Sequence, residues 1–147
     1  CVWAVAGVSP QQIDEINILQ ASLAAMQNAH EHVIKAFAPA QITHALVDGN
    51  KAPALNCITQ TVVKGDNISK SIAAASIMAK VTRDKIMRDL AQEHPHYGWE
   101  SNVGYPSKQH LEAIKLHGIT PHHRKTFKPV REYIEMTRNA ESARLSA

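Results

Sequence analysis

Two aspartates carry the most chemical potential in this chain, because each follows a short β-like run. The runs are His44-Ala-Leu-Val-Asp48-Gly49 and Thr61-Val-Val-Lys-Gly-Asp66, with the acids 18 positions apart across a turn-rich connection. If the two strands share a sheet and a direction, both carboxylates reach the same edge. Carboxylates gathered there hold a hard cation such as Mg²⁺ or Mn²⁺, which takes oxygen ligands. Metal-dependent phosphoryl transfer is the sharpest chemistry that this pair offers. Asp48-Gly49 and Gly65-Asp66 are also ordinary turn formers, and spacing alone favours that plainer reading.

The elements that must position these acids alternate between β and α. Cys1-Val-Trp-Ala-Val-Ala6 reads as an opening strand. Ser9-Pro10, with Gln12 near the capping-box position, predicts a helix start. Ile16, Leu19, Leu23, Met26, Val33 and Phe37 recur at helical spacing, in one or two pieces, until Pro39. Strands are predicted over 42–47 and 58–63, separated by a loop containing Pro53. A long helix should run from Ser69 to about Ala91. Its first half is apolar nearly all round, which predicts burial, and its second half is basic and amphipathic. Residues 95–106 read as a loop with Tyr97, Trp99 and Tyr105. Ser107 caps a helix closed by Gly118, and 132–144 forms a last helix. This order argues an α/β domain over 1–130, followed by a C-terminal helix and tail over 131–147.

Bulk properties narrow the class. The 147 residues are 44% hydrophobic and 20% charged, enough for one globular domain with a core. A net charge of +3 is too mild to argue nucleic-acid binding by itself. Two cysteines, Cys1 and Cys57, make no disulfide framework and favour a reducing, cytoplasmic setting. No apolar run approaches the length of a membrane span, and no membrane partner is expected. The chain begins without Met, inside a predicted strand, so further sequence ahead of Cys1 is expected.

Five motifs then occur in order: Ile13-Asp-Glu-Ile-Asn-Ile-Leu19, Leu46-Val-Asp-Gly-Asn50 with Val63-Lys-Gly-Asp66, Ile72-Ala-Ala-Ala-Ser-Ile-Met-Ala-Lys-Val-Thr-Arg-Asp84, Gly104-Tyr-Pro-Ser107, and His122-His-Arg-Lys-Thr-Phe127. From about Cys1 to Val130 the chain resembles bacterial ribonuclease HII. The resemblance implies an RNase H-like fold, a central mixed sheet flanked by helices, with the first strands missing here. It implies hydrolysis of the RNA strand of RNA–DNA hybrids and incision at ribonucleotides embedded in duplex DNA. It also implies two Mg²⁺ or Mn²⁺ ions and action as a monomer.

Members use four acids, and two of them match Asp48 and Asp66, the catalytic and metal-binding assignments here. The other two form a glycine-flanked Asp-Glu on the first strand, and these 147 residues contain no such segment. Asp14-Glu15 lies at a helix start and receives no catalytic role, and Asp84 is explained by a helical ion pair with Lys80 or Arg88. With half the acids, the chain alone is expected to bind metal weakly and to cleave slowly or not at all. Tyr105, beside Gly104, is the residue expected to sense the ribose 2′-OH, while His122 and Arg124 are expected to contact phosphates. Asn67 and Val103 depart from the family, which favours a small hydroxyl residue and a lysine there. His30-Glu-His32 and His94-Pro-His96 lack further ligands at zinc spacing. Two alternatives stay open: a non-catalytic nucleic-acid-binding fragment, and another RNase H-like nuclease of transposase or resolvase type.

Overall fold

The computed structural model describes residues 2–39 and 41–145. Its elements run α1 (Pro10–Phe37), β1 (His44–Asp48), β2 (Ile58–Val62), α2 (Gly65–Ile68), α3 (Lys70–Glu93), a 3₁₀ turn (Pro95–Tyr97), α4 (Trp99–Asn102), α5 (Lys108–His117) and α6 (Lys128–Leu145). The α/β class expected from the sequence is borne out. The chain divides into two compact units. One comprises residues up to Val8 with Ile16–Thr82, and the other Ser9–Glu15 with the residues from Arg83 onward.

In the first unit, β1 and β2 pair in parallel, with His44 opposite Ile58 and Asp48 opposite Val62. Ile58 N–H donates to the Thr43 carbonyl and Gly49 N–H to the Val62 carbonyl, both at 3.0 Å, closing the ladder at each end. The core here is small: among the described residues Ala21, Val47, Pro53 and Ile72 are its buried apolar side chains. The burial expected for the apolar half of α3 is therefore not met. Ile72 is buried, but Ile77 is 61% exposed, since the sheet of this unit has only two strands among the described residues to offer as cover. The expected opening strand is also absent over residues 2–6, which form no regular element. Strand composition alone does not make a strand, because β propensity depends strongly on context. Cys1 lies outside the described residues.

The helix α1 is two helices joined at Asn17, whose φ of 67° and ψ of 165° interrupt it. The Asn17 side-chain oxygen accepts from the amides of Leu19 (3.0 Å) and Gln20 (3.1 Å), so this residue caps the second piece. Ahead of it, Ser9 Oγ accepts from Gln12 N–H while Gln12 Oε1 accepts from Ser9 N–H, each at 3.2 Å. That reciprocal pair is the capping box the sequence predicts.

The second unit is built on Tyr97, Trp99, Ala113, Ile114 and Val130, with Met87, Leu90, Phe127, Tyr133 and Ile134 packed around them. Trp99 is 2% exposed, and truncating such a side chain to alanine costs roughly 3–5 kcal/mol. Ser107 caps α5 by accepting from His110 N–H at 3.2 Å, as its position predicts. The last helix starts at Lys128, four residues earlier than expected. Pro129 suits a first helical turn, and Val130 anchors that turn in the core.

Candidate active site

Asp48 ends β1, at the C-terminal edge of the parallel pair. Asp66 is not at a strand end as the sequence suggested, since β2 stops at Val62 and Asp66 lies in the first turn of α2. A turn through Lys64 redirects the chain, with Lys64 in the left-handed region at φ 55° and ψ 41°. Non-glycine residues adopt that conformation only where the surroundings enforce it. Gly65 follows, and its amide donates to Asp48 Oδ1 at 2.8 Å. A Cβ at Gly65 would lie 2.6 Å from Ile72 Cδ1 and 3.3 Å from Asp48 Oδ1, so glycine permits this close approach. The next residue is Asp66, whose Oδ1 accepts from Asn67 N–H at 3.0 Å. Each acid thus spends one oxygen on a backbone amide. The second oxygen of each takes no hydrogen bond from the described residues, and both residues are exposed. One carboxylate thus stands at the end of β1 and the other in the first turn of α2, and oxygen donors of this type are what a hard divalent cation takes.

In the second unit, Asn102 organises the loop that presents Tyr105. Its amide nitrogen donates to the Tyr97 carbonyl (2.8 Å) and to Ser107 Oγ (3.2 Å), while its oxygen accepts from Gly104 N–H (2.9 Å). Val103 and Gly104 both have positive φ, 43° and 83°. At Gly104 a Cβ would stand 3.1 Å from Met87 Cε. Tyr105 emerges 66% exposed, with the Arg83 guanidinium carbon 5.6 Å from its ring centroid. It is therefore not a core aromatic. Its carbonyl accepts from His110 Nδ1 at 2.9 Å.

The basic run 122–125 is less uniform than its sequence. His122 and Lys125 are exposed, and Arg124 lies over the Phe127 ring, 5.1 Å from its centroid. His123 is buried. Burial, reinforced by the neighbouring His110, pushes its pKa down from 6.5 to about 4. The partners fix its tautomer. Thr120 N–H donates to Nδ1 at 3.0 Å, so Nε2 carries the proton and faces His110 Nε2 at 3.1 Å. His110 Nε2 also accepts from Trp99 Nε1 at 3.2 Å. His123 is thus a neutral core residue rather than part of a cationic patch.

A family model described as Ribonuclease HII matches residues 4–130. The chain belongs to the ribonuclease HII family. It is 52% identical to a ribonuclease HII of Paramagnetospirillum magneticum over 126 residues, which cover 86% of this chain and 60% of that protein. Against a ribonuclease HII of Ruegeria sp. the identity is 53% over 133 residues, 90% of this chain and 56% of the relative. Against that of Nitrosomonas europaea it is 50% over 127 residues, 86% and 57%. The chain thus spans about 60% of the length of these curated relatives or slightly less.

The ribonuclease HII family is divalent-metal dependent, and its RNase H-like fold matches the α/β order and parallel pair described above. Asp14 has a structural duty. Its carboxylate accepts from Lys125 N–H (2.7 Å), Thr126 N–H (2.9 Å) and Thr126 Oγ1 (2.6 Å). Partial burial opposes ionisation, but the Thr126 hydroxyl and the two amides outweigh it and hold the pKa below the usual 3.8. One grouping escaped sequence reasoning. His94 gathers with Glu93 and His122, whereas His96 stacks on His117 with ring centroids 4.1 Å apart. Spacing gave no signal, because His94 and His122 lie 28 positions apart.

Proposed function

We propose that the chain is part of an endonuclease that hydrolyses the RNA strand of RNA–DNA hybrids and incises duplex DNA at embedded ribonucleotides. The observation that carries this reading is the Gly65 amide on Asp48, one residue ahead of Asp66, in a chain of the ribonuclease HII family. Asp48 and Asp66 are the ligands for Mg²⁺ or Mn²⁺. Ions held there would supply Lewis-acid chemistry, activating a water and stabilising the charge that develops on the departing oxygen. Asp48 Oδ1 stays tied to Gly65, so its other oxygen is the one offered for coordination.

Tyr105 supports a sugar on its ring and offers its hydroxyl to the 2′-OH, with Gly104 allowing close backbone approach. His122 and Arg124 contribute phosphate contacts that carry no sequence information. The protein acts as a monomer on its duplex, and the low cysteine count supports a cytoplasmic setting. Among the described residues, no helix is long and apolar enough to cross a membrane.

The test uses a duplex carrying one ribonucleotide. The chain alone, and a chimera preceded by the corresponding N-terminal segment of the Paramagnetospirillum relative, are assayed with Mg²⁺ and Mn²⁺. The chimera is expected to nick beside the ribonucleotide and the chain alone to nick slowly or not at all. A folded chimera that leaves the duplex intact overturns the activity. Brisk cleavage by the chain alone overturns the account in which Asp48 and Asp66 are half of the acids. In the active form, Tyr105→Phe is expected to reduce ribonucleotide preference by up to about tenfold, the worth of one hydrogen bond, with duplex binding nearly unchanged.

A further inference from the structure

The helix α3 ends at Glu93, where His94 N–H makes a last helical bond to the Leu90 carbonyl at 2.9 Å. Pro95 bars continuation, so Glu93 and His94 stand together at the helix terminus. His122 comes from the loop before α6, where its own amide donates to Thr120 Oγ1 at 3.2 Å. Buried Trp99 forms a wall for both imidazoles. The His94 ring lies 5.7 Å from the Trp99 ring at 78°, and the His122 ring 6.3 Å from it at 89°. The two imidazole centroids are 5.6 Å apart. One ligand atom from each of Glu93, His94 and His122 falls within 4.8 Å of the others. Among the described residues, none of these three side chains forms a hydrogen bond or ion pair, so the donors face one another uncommitted.

Two imidazoles and a carboxylate form a donor set suited to Zn²⁺, Co²⁺ or Ni²⁺, and unlike the all-oxygen shell that Mg²⁺ demands. A tetrahedral ion with bonds near 2.1 Å needs its ligand atoms about 3.4 Å apart. The remaining closure is available to exposed Glu93, which reaches inward on a flexible side chain while Trp99 holds the rings. We propose that Glu93, His94 and His122 form a zinc-type site, separate from Asp48 and Asp66, with water in the fourth position. The ion would staple the end of α3 to the 120–123 loop within the second unit. The proposal does not depend on the nuclease activity.

Zn²⁺ is titrated by calorimetry into the untagged, metal-stripped chain with Mg²⁺ in excess, and Co²⁺ is added in parallel as a spectroscopic probe. One ion per chain is expected at this site, with the visible absorption of a low-symmetry, histidine-ligated Co²⁺ centre and a raised midpoint for thermal unfolding. His94→Gln and His122→Gln should each weaken binding at least tenfold and abolish both the absorption and the rise in midpoint. Glu93→Gln should weaken it severalfold, and His96→Gln should leave it unchanged. If His94→Gln misfolds by circular dichroism, exposed His122 supplies the decisive variant. Affinity indifferent to His122→Gln, or lowered as much by His96→Gln, overturns the site.

Discussion

Replacing Asp14 separates two roles that an Asp-Glu pair could play in this family. The structure gives its carboxylate three donors, the Lys125 and Thr126 amides and the Thr126 hydroxyl, across 111 or 112 positions of sequence. Three charge-assisted bonds in a dry site would be worth several kcal/mol, but solvent reaches this carboxylate and the freed donors regain water. The appropriate scale is a helix-cap residue, so Asp14→Ala should cost about 1–2 kcal/mol at pH 7. The pH dependence has a definite sign. Because the folded pKa lies below 3.8, this stabilisation is fully present above that value and is lost as pH falls through the folded pKa. The gap between wild type and Asp14→Ala should therefore close in strong acid. Urea unfolding followed by the fluorescence of buried Trp99 reads the second unit, where Asp14 acts. An unchanged midpoint, combined with weaker Mg²⁺ binding in Asp14→Ala, would refute the structural role and make Asp14 a metal ligand.

Other outcomes follow from the second unit. With metal chelated, stability should fall as pH drops from 6.5 to about 4, because the unfolded chain protonates His123 and the folded chain does not. The full shift corresponds to about 3 kcal/mol, and some relaxation will reduce it. A His123 ring that titrates near 6.5 by NMR contradicts this. Gly118 has φ 81° and ψ −157°, a region essentially confined to glycine, so Gly118→Ala should destabilise by about 1–3 kcal/mol in the same urea assay. No change there would mean that the backbone relaxes freely at the end of α5.

Much of the local structure was legible because its causes are local. Ser9 with Gln12, and Ser107 before α5, announce helix starts through side chains that satisfy nearby amides. The short β-like runs over 42–47 and 58–63 announced β1 and β2. What the sequence concealed depends on contacts between distant residues. The Val-Trp-Ala-Val run has strand composition, yet residues 2–6 form no regular element. The loop over 95–106 contains a 3₁₀ turn and α4 because Trp99 is buried and Asn102 clamps it. The candidate site shows the same division. Asp48 and Asp66 were readable as acids near strand ends, but the Lys64 turn and Gly65 amide that join them were not. His123 lies in a run of basic residues, and its burial among partners distant in sequence could not be read from that run. The grouping of Glu93, His94 and His122 exists only through packing on Trp99.

The central claim is that Asp48 and Asp66 share a divalent ion. Amide NMR of the chain titrated with Mg²⁺ tests it most directly, since this hard ion avoids the imidazoles. The amides of Gly49, Gly65, Asp66 and Asn67 should shift together along one weak, saturable curve, and Asp48→Asn should abolish it. Shifts centred on Asp14 and Glu15, or a curve unaltered by Asp48→Asn, would contradict the assignment.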